Sequence, residues 1–220
     1  MNKPVLEAKK LSKTFLHPEK HTILKEISLT VYRGETLAIT GPSGVGKSTL
    51  LHILGTLDVP DSGELLIANN NALKGSPSMI RNTHLGFVFQ NFNLLDEYTL
   101  LENILLPARI KRKPIDLKHA EKLLKHVNLY HRAHHLAKQL SGGEKQRASV
   151  ARALCNNPDL ILADEPSGNL DTQNSHLIHK LLIRTAKELN TALIVVTHNQ
   201  ELANLCDRRY TLNDAHLTST

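Results

Sequence analysis

The longest stretch drawn only from apolar residues is Ala192-Leu193-Ile194-Val195-Val196, five residues. A spanning helix needs roughly 20 apolar residues, so the chain is not expected to cross a membrane by itself. Its opening, Met1-Asn2-Lys3-Pro4-Val5-Leu6-Glu7, lacks the apolar segment that carries a chain out of the cytosol, which points to a cytosolic protein. Only two cysteines occur, Cys155 and Cys206, each inside an apolar-periodic stretch. Both are expected as buried small hydrophobes rather than as a disulfide, and no redox chemistry is implied. Internal repeats, low-complexity tracts and sustained heptads are also missing. What is present is ordinary globular usage: of 220 residues, 40% are apolar and 22% charged. A net charge of +6 suits an anionic partner, whether nucleotide, nucleic acid or lipid headgroup, and suits dispersed surface lysines equally well.

Strand-like runs fill the first ninety residues: Val5 to Leu11, Ile23 to Val31, Thr36 to Thr40, Gly63 to Ala68 and Leu85 to Phe89. Ile27, Leu29 and Val31 face one way, and Glu26, Ser28 and Thr30 the other. From about Asn91 to Pro158 apolar residues recur at helical spacing, as in Ala120, Leu123, Leu124 and Val127, which predicts a helical insert. Leu160 to Ala163 and Ala192 to Val196 then read as buried parallel strands. The helix between them has an expected inner stripe of Leu177, Ile178, Leu181, Leu182 and Leu189. Strands alternating with helices predict an α/β fold.

Between the third strand and a helical run from Ser48 to Leu57 stands Gly41-Pro42-Ser43-Gly44-Val45-Gly46-Lys47-Ser48, which satisfies GxxxxGK[ST] in the context the mechanism demands. The glycines let successive N–H groups curl around an anion at a helix N-terminus. Lys47 brings a point charge to phosphates, and Ser48 can place its hydroxyl on Mg²⁺. Leu160 to Ala163 leads into Asp164-Glu165: the first carboxylate can hold Mg²⁺, and the second can orient a water or take its proton. Leu140-Ser141-Gly142-Gly143-Glu144 has the spacing of a capping box and exposes a second set of N–H groups to an anion. Two anion sites raise the question whether the second serves a partner's nucleotide.

With these motifs in order, the chain resembles an ABC-type ATP-binding subunit over essentially its full length. The resemblance implies an α/β P-loop NTPase with a RecA-like mixed sheet core, an N-terminal antiparallel β part and an inserted α-helical lobe. One ATP-binding domain would span residues 1–220, its catalytic lobe being 1–90 with 158–220 and its signature lobe 91–157. Phe15 matches the aromatic that stacks on adenine, Gln90 the Mg²⁺-sensing glutamine, Ser167 to Asp171 the D-loop, and His198 the switch histidine that contacts the γ-phosphate. The implied nucleotide-binding set is Phe15, Gly41, Pro42, Ser43, Gly44, Val45, Gly46, Lys47, Ser48, Thr49, Gln90, Ser141, Gly142, Gly143 and Asp171. Glu165, His198 and Lys47 are the catalytic set, and Ser48, Gln90 and Asp164 would hold Mg²⁺. Two copies would pair head to tail, each ATP lying between one copy's Lys47 loop and the other's Ser141-Gly142-Gly143.

Lys47 and Asp164 are 117 positions apart, too close for the long coiled coil of DNA-repair relatives, and 22 residues follow His198, too few for a regulatory domain. A separate membrane-spanning partner is the expectation, seated against Gln90 to Pro107 on the cytoplasmic face of a bacterial inner membrane, with no nucleic acid bound. Asn93 to Pro107 and Gly168-Asn169-Leu170-Asp171 resemble the lipoprotein-releasing and macrolide-exporter group. Lipoprotein release is the leading expectation; a macrolide-exporter or cell-division ATPase is the alternative, and a soluble nucleic-acid-stimulated ATPase the rival class. Three departures stand out. Ala215 sits where the family has a glycine turn, which predicts an altered terminal hairpin. Asn69 to Ser76 reads as loop, and Leu16 to His21 lengthens the link after Phe15. His131, His134 and His135 have metal-like spacing but no carboxylate or cysteine to complete a set.

Overall fold

Two sheets share one core. The structure, a computed structural model, describes residues 3–16, 20–112 and 114–220, so half of the Leu16 to His21 link (His17, Pro18 and Glu19) lies outside the described residues. Strands β1 (Pro4–Phe15) and β2 (His21–Tyr32) pair antiparallel, and β4 (Ser62–Ile67) and β5 (Asn70–Asn71) extend the sheet in the order β2-β1-β4-β5. The second sheet is built from β3 (Thr36–Thr40), β6 (Leu85–Phe89), β7 (Leu160–Asp164), β8 (Ala192–Val196), β9 (Arg208–Asn213) and β10 (His216–Ser219), in the order β10-β9-β3-β8-β7-β6. Its members run parallel except β10, so the fold is the mixed α/β arrangement expected.

The apolar runs explain why this sheet is central. Leu160 and Leu162 of β7, with Ala192, Ile194 and Val196 of β8, join the core shared with the antiparallel sheet and with α1 (Lys47–Leu54). Ile161, Ala163, Leu193 and Val195 point to the opposite core, against α5 (Gly142–Ala153) and α6 (Thr172–Glu188). A period of two with both faces covered gives continuous apolar strands. Each fully buried Leu or Ile contributes on the order of 1.5–3 kcal/mol. The stretch after β6 holds α3 (Leu100–Ile110), α4 (Leu117–His126) and α5, and α7 (Gln200–Asn204) follows β8.

The structure departs from the sequence reading in four places. Within α6, Ile178, Leu181 and Leu182 are buried, but Leu177 and the C-cap Leu189 are nearly half exposed, so the inner stripe is narrower than expected. A helix, α2 (Pro77–His84), follows Asn69 to Ser76, and its only buried residue is Ile80, which leaves no periodic signal to read. Its start is still marked chemically, by Pro77 at the first helical position. Cys155 is buried but Cys206 only half-buried; both are free, and burial with the charge of Asp207 pushes the Cys206 thiol up to about 12. The terminal hairpin is not disrupted by Ala215. His216 pairs with Asn213 across a two-residue turn in which Asp214 (φ 44°) and Ala215 (φ 63°) are both left-handed. The strain at Ala215, of order 1–2 kcal/mol, is tolerated where its carbonyl accepts the Lys25 N–H at 2.8 Å.

Candidate functional site

Register decides which residues meet. Phe89 lies beside Asp164, Asp164 beside Val196, and Val196 beside Ile39, so β6, β7, β8 and β3 end on one edge of the sheet. The residues just past those ends are Gln90, Glu165, Thr197 with His198, and Gly41. Four stretches far apart in sequence thus converge at the carboxyl edge, where open α/β sheets hold ligands.

The loop after β3 is held open by its glycines. Gly46 has φ 103°, and a Cβ there would collide with the Ile23 side chain of β2, so no other residue fits. Lys47, only 7% exposed, donates from its ammonium to the Gly41 and Pro42 carbonyls at 2.9 and 2.8 Å. An ammonium has three N–H donors, so one is left for a phosphate oxygen. Ser43, Val45 and Thr49 belong to the same turn and first helical turn. The Ser48 hydroxyl donates to Asp164 Oδ1 at 3.1 Å. Burial raises the Asp164 carboxyl above its ordinary value, opposed by the Ser48 hydrogen bond and nearby positive charge.

Glu165 has φ 42°, in the left-handed region that costs a non-glycine residue of order 1–3 kcal/mol. It is pinned there: its N–H donates to the Val196 carbonyl at 2.9 Å, and its carboxylate accepts from the Thr197 hydroxyl at 3.2 Å and the His198 N–H at 3.1 Å. Glu165 Oε1 also lies 2.9 Å from His198 Nδ1. A proton on Nδ1 fixes the ring and leaves Nε2 facing outward on a side chain that is 70% exposed.

Gln90 is tied to the D-loop: its side-chain amide donates to Asn169 Oδ1 at 3.0 Å, and the Asn169 amide returns to the Gln90 carbonyl at 3.2 Å. Asp171 caps α6 by accepting the Asn174 N–H at 2.8 Å, which lowers its carboxyl below the usual range. The predicted capping box is formed: the Ser141 hydroxyl accepts the Glu144 N–H at 3.3 Å, and Glu144 accepts the Ser141 N–H at 2.8 Å. Gly143 packs so closely on Asn174 that a methyl there would displace that side chain. Among the described residues, no hydrogen bond or ion pair joins Ser141, Gly142 or Gly143 to residues 41–48.

Sequence reasoning missed Gln146. It is fully buried in α5, and its amide donates to the Phe89 and Pro166 carbonyls, one before Gln90 and one after Glu165. The signature helix is therefore bolted to both catalytic strands. The available signal was its spacing of four and seven from Val150 and Ala153, which puts a polar residue on the inner face of α5. Asn103, also fully buried, bonds the Leu95, Tyr98 and Thr99 backbone and shapes the stretch singled out from Asn93 to Pro107. Phe15 lies at the end of β1, 40% exposed, with the Lys13 ammonium 5.6 Å from its ring centre. His135 faces Arg132 at 3.2 Å, while His131 and His134 are exposed.

The comparisons with known proteins agree with this geometry. The ABC transporter family profile matches residues 24–168. A relative from Protochlamydia amoebophila, named lipoprotein-releasing system ATP-binding protein LolD, is 51% identical, the match covering 94% of this chain and 93% of that one. A protein of the same name from Shewanella oneidensis is 44% identical over 99% of this chain and 97% of its own length. Among solved structures, a dimeric ATP-binding cassette in a post-hydrolysis state with ADP and Pi superposes with a TM-score of 0.87 and 38% identity, covering 98% of this chain and 97% of that one. With a nucleotide-phosphate loop, two acidic residues and a histidine on one sheet edge, these matches place this chain in the ABC transporter family as an ATP-binding, ATP-hydrolysing cassette.

Proposed function

We propose that the chain powers the release of lipoproteins from a bacterial inner membrane, working as a pair of ATPase subunits on the cytoplasmic face of a membrane-embedded partner. The observation that supports the paired arrangement is that, among the described residues, no hydrogen bond or ion pair joins Ser141, Gly142 or Gly143 to residues 41–48 of the same chain. A signature cap not engaged by its own chain's loop is available to a second copy's γ-phosphate. The relatives named above support the cargo class. An apolar groove of about 470 Å³ supports the membrane partner: it lies beside the Asn93 to Pro107 stretch and is lined by Leu57, Phe87, Phe89, Leu106 and Ile110. No helix among the described residues is long and apolar enough to cross a membrane, so the partner would supply the spans.

Residues 1–220 act as one nucleotide-binding unit whose catalytic lobe (1–90 with 158–220) is bolted to its signature lobe (91–157) through Gln146. Lys47 and the N–H groups of Gly41 to Ser48 hold the phosphates, Thr49 continues the helix that receives them, and Phe15 stacks on the base. Ser48, Asp164 and Gln90 form a hard oxygen donor set that fits Mg²⁺; the ion when bound neutralises phosphate charge. Glu165 orients the attacking water and accepts its proton, and His198, aligned by Glu165, turns Nε2 toward the γ-phosphate. The Ser141 and Gly143 groups of the opposing copy bond that phosphate only while it is attached, and Asp171 holds the D-loop between the two sites. After hydrolysis the pair loosens, and the Gln90–Asn169 link carries the change to the groove.

The test is affinity capture of Glu165→Gln from native membranes in ATP. The expected catch is a polytopic partner together with lipoproteins, and Ile110→Glu, placed on the 72% exposed rim of the groove, is expected to lose it while keeping ATP binding. A macrolide-exporter or cell-division complex in the catch overturns the cargo, and soluble nucleic-acid-bound proteins alone overturn the transporter reading.

A further inference from the structure

Outside the nucleotide site, α6 carries His176 and His179 one turn apart, and Glu201 of α7 faces both. His176 Nδ1 is hydrogen-bonded to Glu201 Oε1, and His179 Nδ1 lies 3.7 Å from Glu201 Oε2. One ligand atom from each residue falls within 4.8 Å of the other two. His179 is fully buried, yet its Nδ1 has no hydrogen-bond partner, whereas its Nε2 meets the Ser167 hydroxyl at 2.9 Å. The tautomer that donates Nε2–H to Ser167 leaves a buried lone pair on Nδ1, 3.7 Å from a carboxylate oxygen. Two such acceptors repel each other unless a proton or a metal ion lies between them, and a backing hydrogen bond on the far ring nitrogen is what orients a metal-ligating imidazole.

We propose that His176 Nδ1, His179 Nδ1 and the Glu201 carboxylate bind a single Zn²⁺ ion. Two imidazoles and one carboxylate form a three-ligand zinc set with a fourth position for water; bonds of about 2.0–2.1 Å put tetrahedral ligand atoms about 3.3 Å apart, which side-chain adjustment reaches from three ligand atoms that already lie within 4.8 Å of one another. The nitrogen donors disfavour Mg²⁺, so the site is chemically distinct from the oxygen set at Ser48 and Asp164. Position gives it a consequence. α6 begins straight after the D-loop and α7 straight after His198, so the ion braces the two segments that leave the catalytic edge. A cleft of about 280 Å³ lined by Glu165, Ser167, His198 and Glu201 gives it an entry path.

The experiment is an equilibrium titration of the chelator-treated, nucleotide-free full chain with Zn²⁺ against a chromophoric chelator. One equivalent is expected to bind, and Zn²⁺ is expected to raise Tm. His176→Gln and Glu201→Gln, both at exposed side chains, are each expected to weaken binding by about tenfold or more and to abolish the Tm shift, while His131→Gln with His134→Gln changes neither. Co²⁺ is expected to give visible bands without a thiolate charge-transfer band. No stoichiometric binding, wild-type affinity in both ligand variants, or a thiolate band overturns the proposal. Nucleotide plays no part in the titration, so its failure leaves the lipoprotein-release reading untouched.

Discussion

The chain builds two anion-facing loops by different means. Gly41 to Ser48 springs from β3, whose Leu37, Ala38 and Ile39 are wholly buried, and faces carboxylates fixed by the register of β7 and β8. Ser141 to Gly143 is held by a helix cap with Ser141 and Gly142 exposed and Gly143 buried, steadied by Glu144 and, behind it, by Arg132 at 3.0 Å. The first loop is anchored in the sheet through buried Gly46 and Lys47, which suits in-line chemistry, since misplacement by about 1 Å can cost on the order of a hundredfold in rate. The second depends on a few exposed hydrogen bonds, which suits a contact made and broken in every cycle. Anchorage in the sheet and anchorage in a helix cap here separate chemistry from signalling.

The sharpest break between the two is Glu165→Gln. It leaves the sheet-borne loop intact and is expected to reduce steady-state phosphate release by about a hundredfold or more, with nucleotide affinity retained. Next is Gly143→Ala, which pushes Asn174 aside and puts a methyl group on the cap. ATP affinity is expected to stay within about twofold while turnover falls on the order of tenfold to a hundredfold; equal losses in both would mean the cap serves its own chain's nucleotide. Ser141→Ala removes one cap bond, and a cost of about 1 kcal/mol should lower Tm by about 2–4 °C in calorimetry, besides slowing turnover.

The smallest effect is in acid. Hydrogen bonds from the Thr99 backbone and hydroxyl lower the Glu102 carboxyl. For Glu144, burial pulls the value up, but the Ser141 and Arg132 hydrogen bonds outweigh it and the net shift is downward. A carboxyl lowered in the folded state contributes stability that is present above its unfolded value, about 4.3, and is lost as pH falls through the folded one. Melting of the helical insert is therefore expected to move to lower temperature below about pH 4, and a double Glu102→Gln, Glu144→Gln variant should flatten that dependence.

Much of the catalytic edge was legible because its parts are local. A strand ending in Asp164-Glu165 and a glycine-rich turn ending in Lys47-Ser48 carry their chemistry in consecutive residues. The sheet strands were equally plain, since Ala192 to Val196 is apolar at every position. Bonds between distant segments were not legible. Nothing in the sequence around Gln146 says that its amide reaches the Phe89 and Pro166 carbonyls, or that Asn169 closes on Gln90. Helix α2 escaped for the opposite reason, with one buried residue and no period to detect. Ala215 misled because local preference at φ 63° was outweighed by strand pairing on both sides of the turn. His179 was invisible too: His176 and His179 acquire their carboxylate only when α7 folds back against α6.

The composite site, one copy's Lys47 loop closed by another copy's Ser141 cap, is tested most directly by sedimentation of the Glu165→Gln protein. With MgATP it is expected to run as a species of about twice the 24.5 kDa chain mass and to return to the single-chain mass in ADP. A protein that binds ATP to full occupancy yet sediments as a single chain would contradict the account.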